Sequence, residues 1–265
     1  MTNQLNYLPL FIGLAFIFSC KNATDDNQEK PLENDVRPIS FETKYFERKG
    51  GQCEKDHVKC VVIKLTYPFV KEGIERTRNS INQYIKSMVL ESIIPDPNEK
   101  IKDFETASQQ LIKYYQDQVD EFPDYEMGWE VEVDGSVEIV GNYAVITLPT
   151  YSNLGGAHPN HHTSIVNFDL GTGEELKFMD IIEDAKAFKE LAQKRFVEAR
   201  ISDYNLTEVD INEFFFGEGF KLPENFALKK EGIFFYYNPY EAAPYTLGTT
   251  EFTISYKDLE GIVKL

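Results

Sequence analysis

The stretch "YSNLGGAHPNHHTSIVNFDLGTGEELKFMDII", residues 151–182, alternates turn signals with strand signals. Glycine-containing turns at 155–156 and 171–173 flank a segment of β-branched and aromatic residues. This pattern predicts two strands around the later turn and then a helix. Three of the chain's four histidines follow the first turn: His158, His161 and His162. We therefore ask whether a metal site, a catalytic loop or a structural turn lies here.

Neither metal nor catalytic chemistry is well supported by these histidines. With Asp169 they could supply four zinc ligands, but H-x-x-H-H without a partner at fixed spacing is a weak signal. Ser152 and Ser164 lie nearby without a nucleophile elbow. A carboxylate pair such as Glu241 with Asp169 is suited to a glycosidase by residue type alone. We expect no metal, no cofactor and no catalytic residue, and interpret residues 155–162 as a structural or binding loop.

The segments before this stretch predict more strands and two helices. Residues 39–49 and 60–70 alternate apolar and polar side chains on either side of a glycine turn, which predicts an antiparallel hairpin. Apolar residues then recur at helical spacing between Gly73 and Pro95, and again over 101–122 before Pro123. These two segments are predicted to be helices. Strong alternation resumes over 129–153.

The segments after it complete the order of elements. Residues 179–202 have the spacing of an amphipathic helix, and two strand-like segments close the chain at 226–243 and 250–259. The order of strands, helices, strands, helix and strands predicts an α+β fold with antiparallel sheets, a few packed helices and two interlocked subdomains. We place the N-terminal partner subdomain at 38–135 and the C-terminal domain at 136–265.

The N-terminus has the pattern of a lipoprotein leader. An apolar run from Leu8 to Phe18 stops at Ser19-Cys20 and is too short to span a bilayer as a helix. We expect residues 1–19 to be a signal peptide, Cys20 to carry lipid, and the polar residues 20–37 to form a disordered tether. With such a leader, the protein would attach to the membrane through the lipid alone. The alternative is a buried N-terminal helix.

Charge and cysteine content restrict the partners and the compartment. A formal net charge of −17 without a basic stripe argues against nucleic acid and favours a cationic partner. Cys53 and Cys60 are close enough to pair in an oxidising compartment. Together with His57 they could instead supply three zinc ligands, but no fourth ligand lies nearby, so a disulfide is favoured.

Two motifs resemble a known bacterial family. The Gly-Gly-Ala-His turn with "FDLGTG", and the closing segment "YYNPYEAAPY" at 236–245, resemble an extracytoplasmic domain of unknown function. That domain forms the outer part of lysozyme-sensing anti-sigma factors of the RsiV type and the N-terminal module of peptidoglycan deacetylases of the PdaC type. A smaller partner domain commonly precedes it, and residues 37–135 resemble this partner by position and element order. The anti-sigma and deacetylase parts themselves have no counterpart here.

The resemblance implies a binding module rather than an enzyme. We expect a lipid-anchored cell-envelope protein whose ligand is a cationic protein such as lysozyme or a peptidoglycan fragment; a peptidoglycan-modifying or metal-dependent hydrolase is the alternative. Lys21 after Cys20 favours the outer membrane, with the domain in the periplasm or on the cell surface. The oligomeric state stays open. Aromatic rings suit a binding surface, and the expected binding residues are Tyr151, Gly155, Gly156, His158, His161, His162, Tyr237, Tyr240 and Glu241.

Overall fold

Within the residues that it describes, the computed structural model contains two sheets and four α-helices. It describes residues 38–54, 59–94, 98, 100–204 and 210–265. The strands within these ranges are β1 Ser40–Gly51, β2 Cys60–Glu72, β3 Trp129–Asp134, β4 Ser136–Val140, β5 Tyr143–Asn153, β6 Asn160–Asp169, β7 Asn225–Leu228, β8 Gly232–Tyr237 and β9 Thr250–Ser255. The helices are α1 Glu75–Glu91, α2 Phe104–Glu121, α3 Phe178–Ile181 and α4 Ala185–Tyr204.

The first sheet contains β1 to β6. Strands β1 and β2 form the expected antiparallel hairpin, and the expected disulfide joins Cys53 to Cys60 near its turn. Strand β3 then pairs parallel to β2, because α1 and α2 form the long crossover that parallel pairing requires. The long strand β5 pairs with β3, β4 and β6, so the sheet is mixed rather than wholly antiparallel.

One face of this sheet packs against α1 and α2. Alternate residues of the central strands are buried on that face, including Val61, Ile63 and Val131. Asp103 precedes helix α2 and caps it, because its carboxylate accepts a hydrogen bond from the Thr106 N–H over 2.8 Å. The turn after β6 also contacts α1, because the Ser80 hydroxyl donates to the Gly173 carbonyl.

The second sheet, of order β7-β8-β9, forms a separate hydrophobic core with α4. Many of its buried residues are aromatic, including Phe188 and Phe196 of α4 and Phe235 of β8. Ring centroids lie 5.6 Å apart between Phe188 and Phe235, a separation typical of favourable aromatic pairs. Packed rings therefore form much of this core, together with aliphatic side chains such as Ile233 and Ile254.

Three buried asparagines join the two sheets, and we call them the asparagine seam: Asn167, Asn225 and Asn238. Asn167 of β6 donates to the Phe226 carbonyl and accepts from the Leu228 N–H. Asn225 and Asn238 reach in the opposite direction, to backbone groups of β6. Side-chain amides carry both a donor and an acceptor, so they can replace backbone pairing where two sheets meet.

The α+β class is confirmed, with two differences in detail. The second strand expected after the 171–173 turn is only a single bridge between Phe168 and Glu175. The helix expected over 179–202 is divided into α3 and α4, because the Asp184 carboxylate accepts from the N–H groups of Lys186 and Ala187 and starts a new helix.

The remaining predictions on organisation are untested. The expected boundary at 135 falls between β3 and β4 in the first sheet, and the division into subdomains stays a prediction. The signal peptide, Cys20 and the tether lie outside the described residues. Among the helices of the described ranges, none combines the length and apolarity needed to cross a membrane.

Candidate functional site

The histidine segment is divided between a loop and a strand. Residues 154–159 form the loop between β5 and β6, whereas His161 and His162 lie within β6. Successive side chains of a strand point to opposite faces, so these two histidines point away from each other. They therefore do not converge with His158 on one point, as the zinc interpretation required.

Gly155 is essential to the shape of this loop. Its φ of +77° lies in the left-handed region, and a Cβ at this position would lie 1.8 Å from the Tyr125 hydroxyl. That hydroxyl accepts a hydrogen bond from the Trp129 indole N–H over 2.9 Å, so it cannot move without losing its partner. Gly156 is different, because a Cβ there would meet nothing nearer than 3.8 Å.

His158 lies in a group of rings that we call the aromatic cluster: His158 and Tyr240, which are exposed, and Tyr245, which is half-buried. The His158 and Tyr245 rings stack with centroids 4.0 Å apart and planes 19° apart. His158 Nε2 lies 3.2 Å from the Tyr240 hydroxyl, and its Nδ1 lies 2.8 Å from the Pro159 carbonyl. The cluster thus joins the loop of residues 154–159 to the segment after β8.

Tyr240 occupies an unusual backbone conformation. Its φ is +69°, and its side chain is 51% exposed. The Tyr240 N–H donates to the Ala243 carbonyl over 3.0 Å, which closes the turn around it. A left-handed conformation in a non-glycine residue costs about 1–2 kcal/mol. The surrounding structure therefore stabilises a backbone conformation of Tyr240 that is locally unfavourable, and this fixes the position of the exposed ring.

The Glu241 side chain stabilises that turn through hydrogen bonds to the backbone. Its two carboxylate oxygens accept backbone hydrogen bonds, one from Glu224 over 2.9 Å and one from Asn238 over 2.8 Å. Burial raises the pKa of Glu241, and the same two hydrogen bonds oppose the increase. Both oxygens act as structural acceptors, so this carboxylate is poorly placed to contact a ligand directly.

Asn238 connects the turn to the first sheet. Its side-chain oxygen accepts from the Thr163 N–H over 2.7 Å, and its amide donates to the Thr163 carbonyl over 2.9 Å. Because Asn238 is a buried member of the asparagine seam, the start of the Tyr240 turn is anchored to β6. The sequence pattern did not identify Asn238; its position beside Pro239 was the available signal.

Two expected binding residues do not belong to the exposed surface of the aromatic cluster. Tyr237 is 1% exposed, and its hydroxyl donates to the Lys221 carbonyl over 2.7 Å. Burial raises its pKa. Tyr237 follows Ile233 and Phe235 on the inward face of β8, so strand alternation explains its position. Glu241 supports the surface rather than forming it.

Tyr151 and His161 form a separate pair on the first sheet. They are cross-strand partners of β5 and β6, with ring centroids 5.1 Å apart. His162, on the other face of β6, has a lowered pKa because of desolvation, which the nearby Glu224 carboxylate partly opposes.

In the part of the chain that the structure describes, the candidate metal ligands lie apart or are already engaged in other contacts. Within the described ranges, no group of three or more His, Cys, Asp or Glu side chains is arranged to hold a metal ion. Cys53 and Cys60 are joined to each other, and His57 lies outside the described residues. The Asp169 carboxylate accepts from the N–H groups of Gly171 and Thr172, so it stabilises its own turn.

The fold and the site define an α+β module of two sheets joined by buried asparagines, with an exposed histidine–tyrosine cluster beside the joint. Residues 174–257 match the model of a family described as a protein of unknown function (DUF3298). The expectation of a domain of unknown function is therefore confirmed for this part of the chain. The finer resemblance to the RsiV and PdaC modules stays a prediction.

Two solved structures show a similar fold. A DUF3298-family protein from Bacteroides fragilis is 19% identical, with a TM-score of 0.65 over 87% of this chain and 95% of the other. A DUF3298-family protein from Pseudomonas aeruginosa is 21% identical, with a TM-score of 0.62 over 86% of this chain and 95% of the other. At these identities the likeness shows the fold alone. No curated protein matches the chain.

Proposed function

We propose that this protein is a lipid-anchored cell-envelope binding protein whose aromatic cluster binds a cationic protein of the lysozyme type. The observation that carries the proposal is the exposed Tyr240 ring, held in a left-handed conformation against its local preference. Strained backbone that is fixed by its surroundings is concentrated at functional sites. An exposed tyrosine in a rigid setting is also a common anchor of protein interfaces.

The charge of the chain supports a cationic partner. The formal net charge is −17, so the field of the protein attracts a basic protein and repels an acidic one. Glu224 is exposed and supplies a surface carboxylate, while its backbone N–H is bound to Glu241. Binding should therefore weaken as salt screens the long-range attraction.

Calorimetric titration of the full chain with c-type lysozyme, at low and moderate salt, tests this proposal. Tyr240→Asn removes the ring but keeps a residue that tolerates the left-handed conformation, so the fold should be preserved. We expect the affinity to fall about tenfold or more, the loss typical of an interface anchor. The matched control is Tyr45→Asn, which removes a 77% exposed tyrosine from β1.

Two results would contradict the proposal. One is the absence of measurable binding at either salt concentration. The other is an equal loss of affinity in the Tyr240 and Tyr45 variants, since this would show that the aromatic cluster has no special part in binding.

The lipid anchor is tested separately, because Cys20 lies outside the described residues. A Cys20→Ala variant cannot be acylated at this position, so it should move from the membrane fraction to the soluble fraction of the envelope. Mass spectrometry of the wild-type N-terminus should show a diacyl or triacyl modification. The anchor would be excluded if the wild-type protein is found in the soluble fraction and its N-terminus is unmodified.

A further inference from the structure

A groove of about 410 Å³ lies between the two sheets, and no residue of the aromatic cluster lines it. Its floor is apolar and buried, formed by Ile165 of β6 and Ala227 of β7. Its wall consists of Phe234 and Tyr236, neighbours on one face of β8 whose ring centroids lie 6.4 Å apart and whose planes differ by 31°. Both rings are only partly buried, so they offer a nearly continuous aromatic platform.

Polar groups surround this platform. The hydroxyl-bearing residues Thr147 and Thr163 line the groove from β5 and β6, and the exposed Glu251 lines it from β9. Lys229 lines the groove as well and is fixed by an ion pair to Glu138, with 2.6 Å between its Nζ and the carboxylate. An apolar surface with a few placed hydrogen-bonding groups is the usual make-up of a small-molecule site, and the volume is within the range of such sites.

The groove continues along the first sheet. Cross-strand partners share a face, and the register places Thr147 opposite Ile165, Pro149 opposite Thr163, and Tyr151 opposite His161. The Tyr151–His161 pair therefore lies on the same face as the groove, two rows beyond Ile165. An elongated ligand could contact the Phe234 and Tyr236 platform at one end and this pair at the other.

The strand edges beside the groove are already occupied, which disfavours an extended peptide. The N–H and carbonyl of Thr163 and the N–H of Ile165 are bound by side chains of the asparagine seam. On β7, the Phe226 carbonyl and the Leu228 N–H are bound by Asn167. A peptide that adds to a sheet needs such groups for its main-chain hydrogen bonds.

From these observations we infer that the groove is a binding site for an uncharged oligosaccharide. Aromatic ring faces suit the apolar faces of sugar rings, and hydroxyl, carboxylate and ammonium groups suit their hydroxyls. The net charge of −17 disfavours acidic polysaccharides. This site is distinct from the proposed protein-binding surface and does not depend on it.

Calorimetric titration of the full chain with two trisaccharides, an N-acetylglucosamine trimer and a glucose trimer, tests the inference. Tyr236→Ser removes half of the platform, and Thr147→Trp keeps both rings but fills the groove. We expect each variant to lower the affinity for the bound trisaccharide about tenfold or more. Preference for the N-acetylglucosamine trimer would indicate a cell-wall glycan, and binding of both trimers a less selective glycan site.

Tyr240→Asn is the matched control, because it alters the aromatic cluster and not the groove. Its affinity for the trisaccharide should stay within about twofold of wild type, as expected for separate sites. The inference would be overturned if neither trimer binds at millimolar concentration. It would also be overturned if a blocked Val-Phe-Val peptide binds and the two trimers do not. Unchanged affinity in folded Thr147→Trp would also overturn it. Lysozyme binding is measured on the same variants, so either proposal can fail without the other.

Discussion

Replacing Asn167 with Ala should weaken the joint between the two sheets. Asn167 is 0% exposed and makes two hydrogen bonds to β7, to the Phe226 carbonyl over 2.8 Å and from the Leu228 N–H over 2.9 Å. The variant leaves both backbone groups buried without these partners. An unsatisfied buried group costs about 1–3 kcal/mol, so we expect the free energy of unfolding to fall by about 4 kcal/mol.

Urea denaturation measures this loss as a lower midpoint with an unchanged slope. The matched control is Asn142→Ala, because Asn142 is exposed and its amide makes one long contact of 3.4 Å with Asp169. A surface change of this kind should cost less than about 0.5 kcal/mol. Similar losses in the two variants would refute the reasoning, since the seam would then contribute no more than a surface side chain.

Asn167→Asp separates hydrogen bonding from packing. The side chain keeps its shape, but an ionised carboxylate cannot donate to the Phe226 carbonyl and is buried. Burial raises the pKa of the carboxyl above its unfolded value of about 3.9. The variant should therefore be most stable below that pH, and lose stability as the pH rises through the folded-state pKa. A flat pH dependence relative to wild type would contradict this.

Three further predictions concern other positions. Gly155→Ala should lower the free energy of unfolding by about 2–4 kcal/mol through strain and a clash, whereas Gly156→Ala should cost under about 1 kcal/mol; thermal denaturation compares them. Replacing Cys53 and Cys60 with Ser opens a ring that the loop-entropy model values at about 2.5 kcal/mol, measured by urea denaturation. His162 has a folded-state pKa below 6.5, so wild type should lose stability as the pH falls below 6.5; the loss should be smaller in His162→Gln.

The sequence was most informative where one periodicity dominated. The alternation in residues 39–49 and 60–70, with a glycine turn between them, correctly predicted the hairpin of β1 and β2. The helical spacing before Pro95 and Pro123 correctly predicted α1 and α2. In these segments burial of one face and local propensity favour the same conformation, so a local pattern is sufficient.

The joint between the sheets was not predictable in the same way. Asn167, Asn225 and Asn238 belong to a residue type that usually marks turns or surface, and nothing local shows that each will be buried against a strand of the other sheet. Tyr237 was predictable in principle. The alternation of Ile233, Phe235 and Tyr237 already indicates an inward face, but the density of tyrosines in this segment suggested a surface instead.

The residues that hold the aromatic cluster in place also stabilise the fold. The sequence motif that contains them therefore indicates both the fold and the cluster. Asn238 anchors the start of the turn to β6, and Glu241 accepts hydrogen bonds from the N–H groups of Asn238 and Glu224. Between them Tyr240 points outward to meet His158. A change at either supporting residue should therefore lower the stability of the turn and displace the ring together, whereas a change at Tyr240 should remove the ring and leave the turn in place. Comparing stability with ligand affinity across these three positions distinguishes a binding surface from a structural turn.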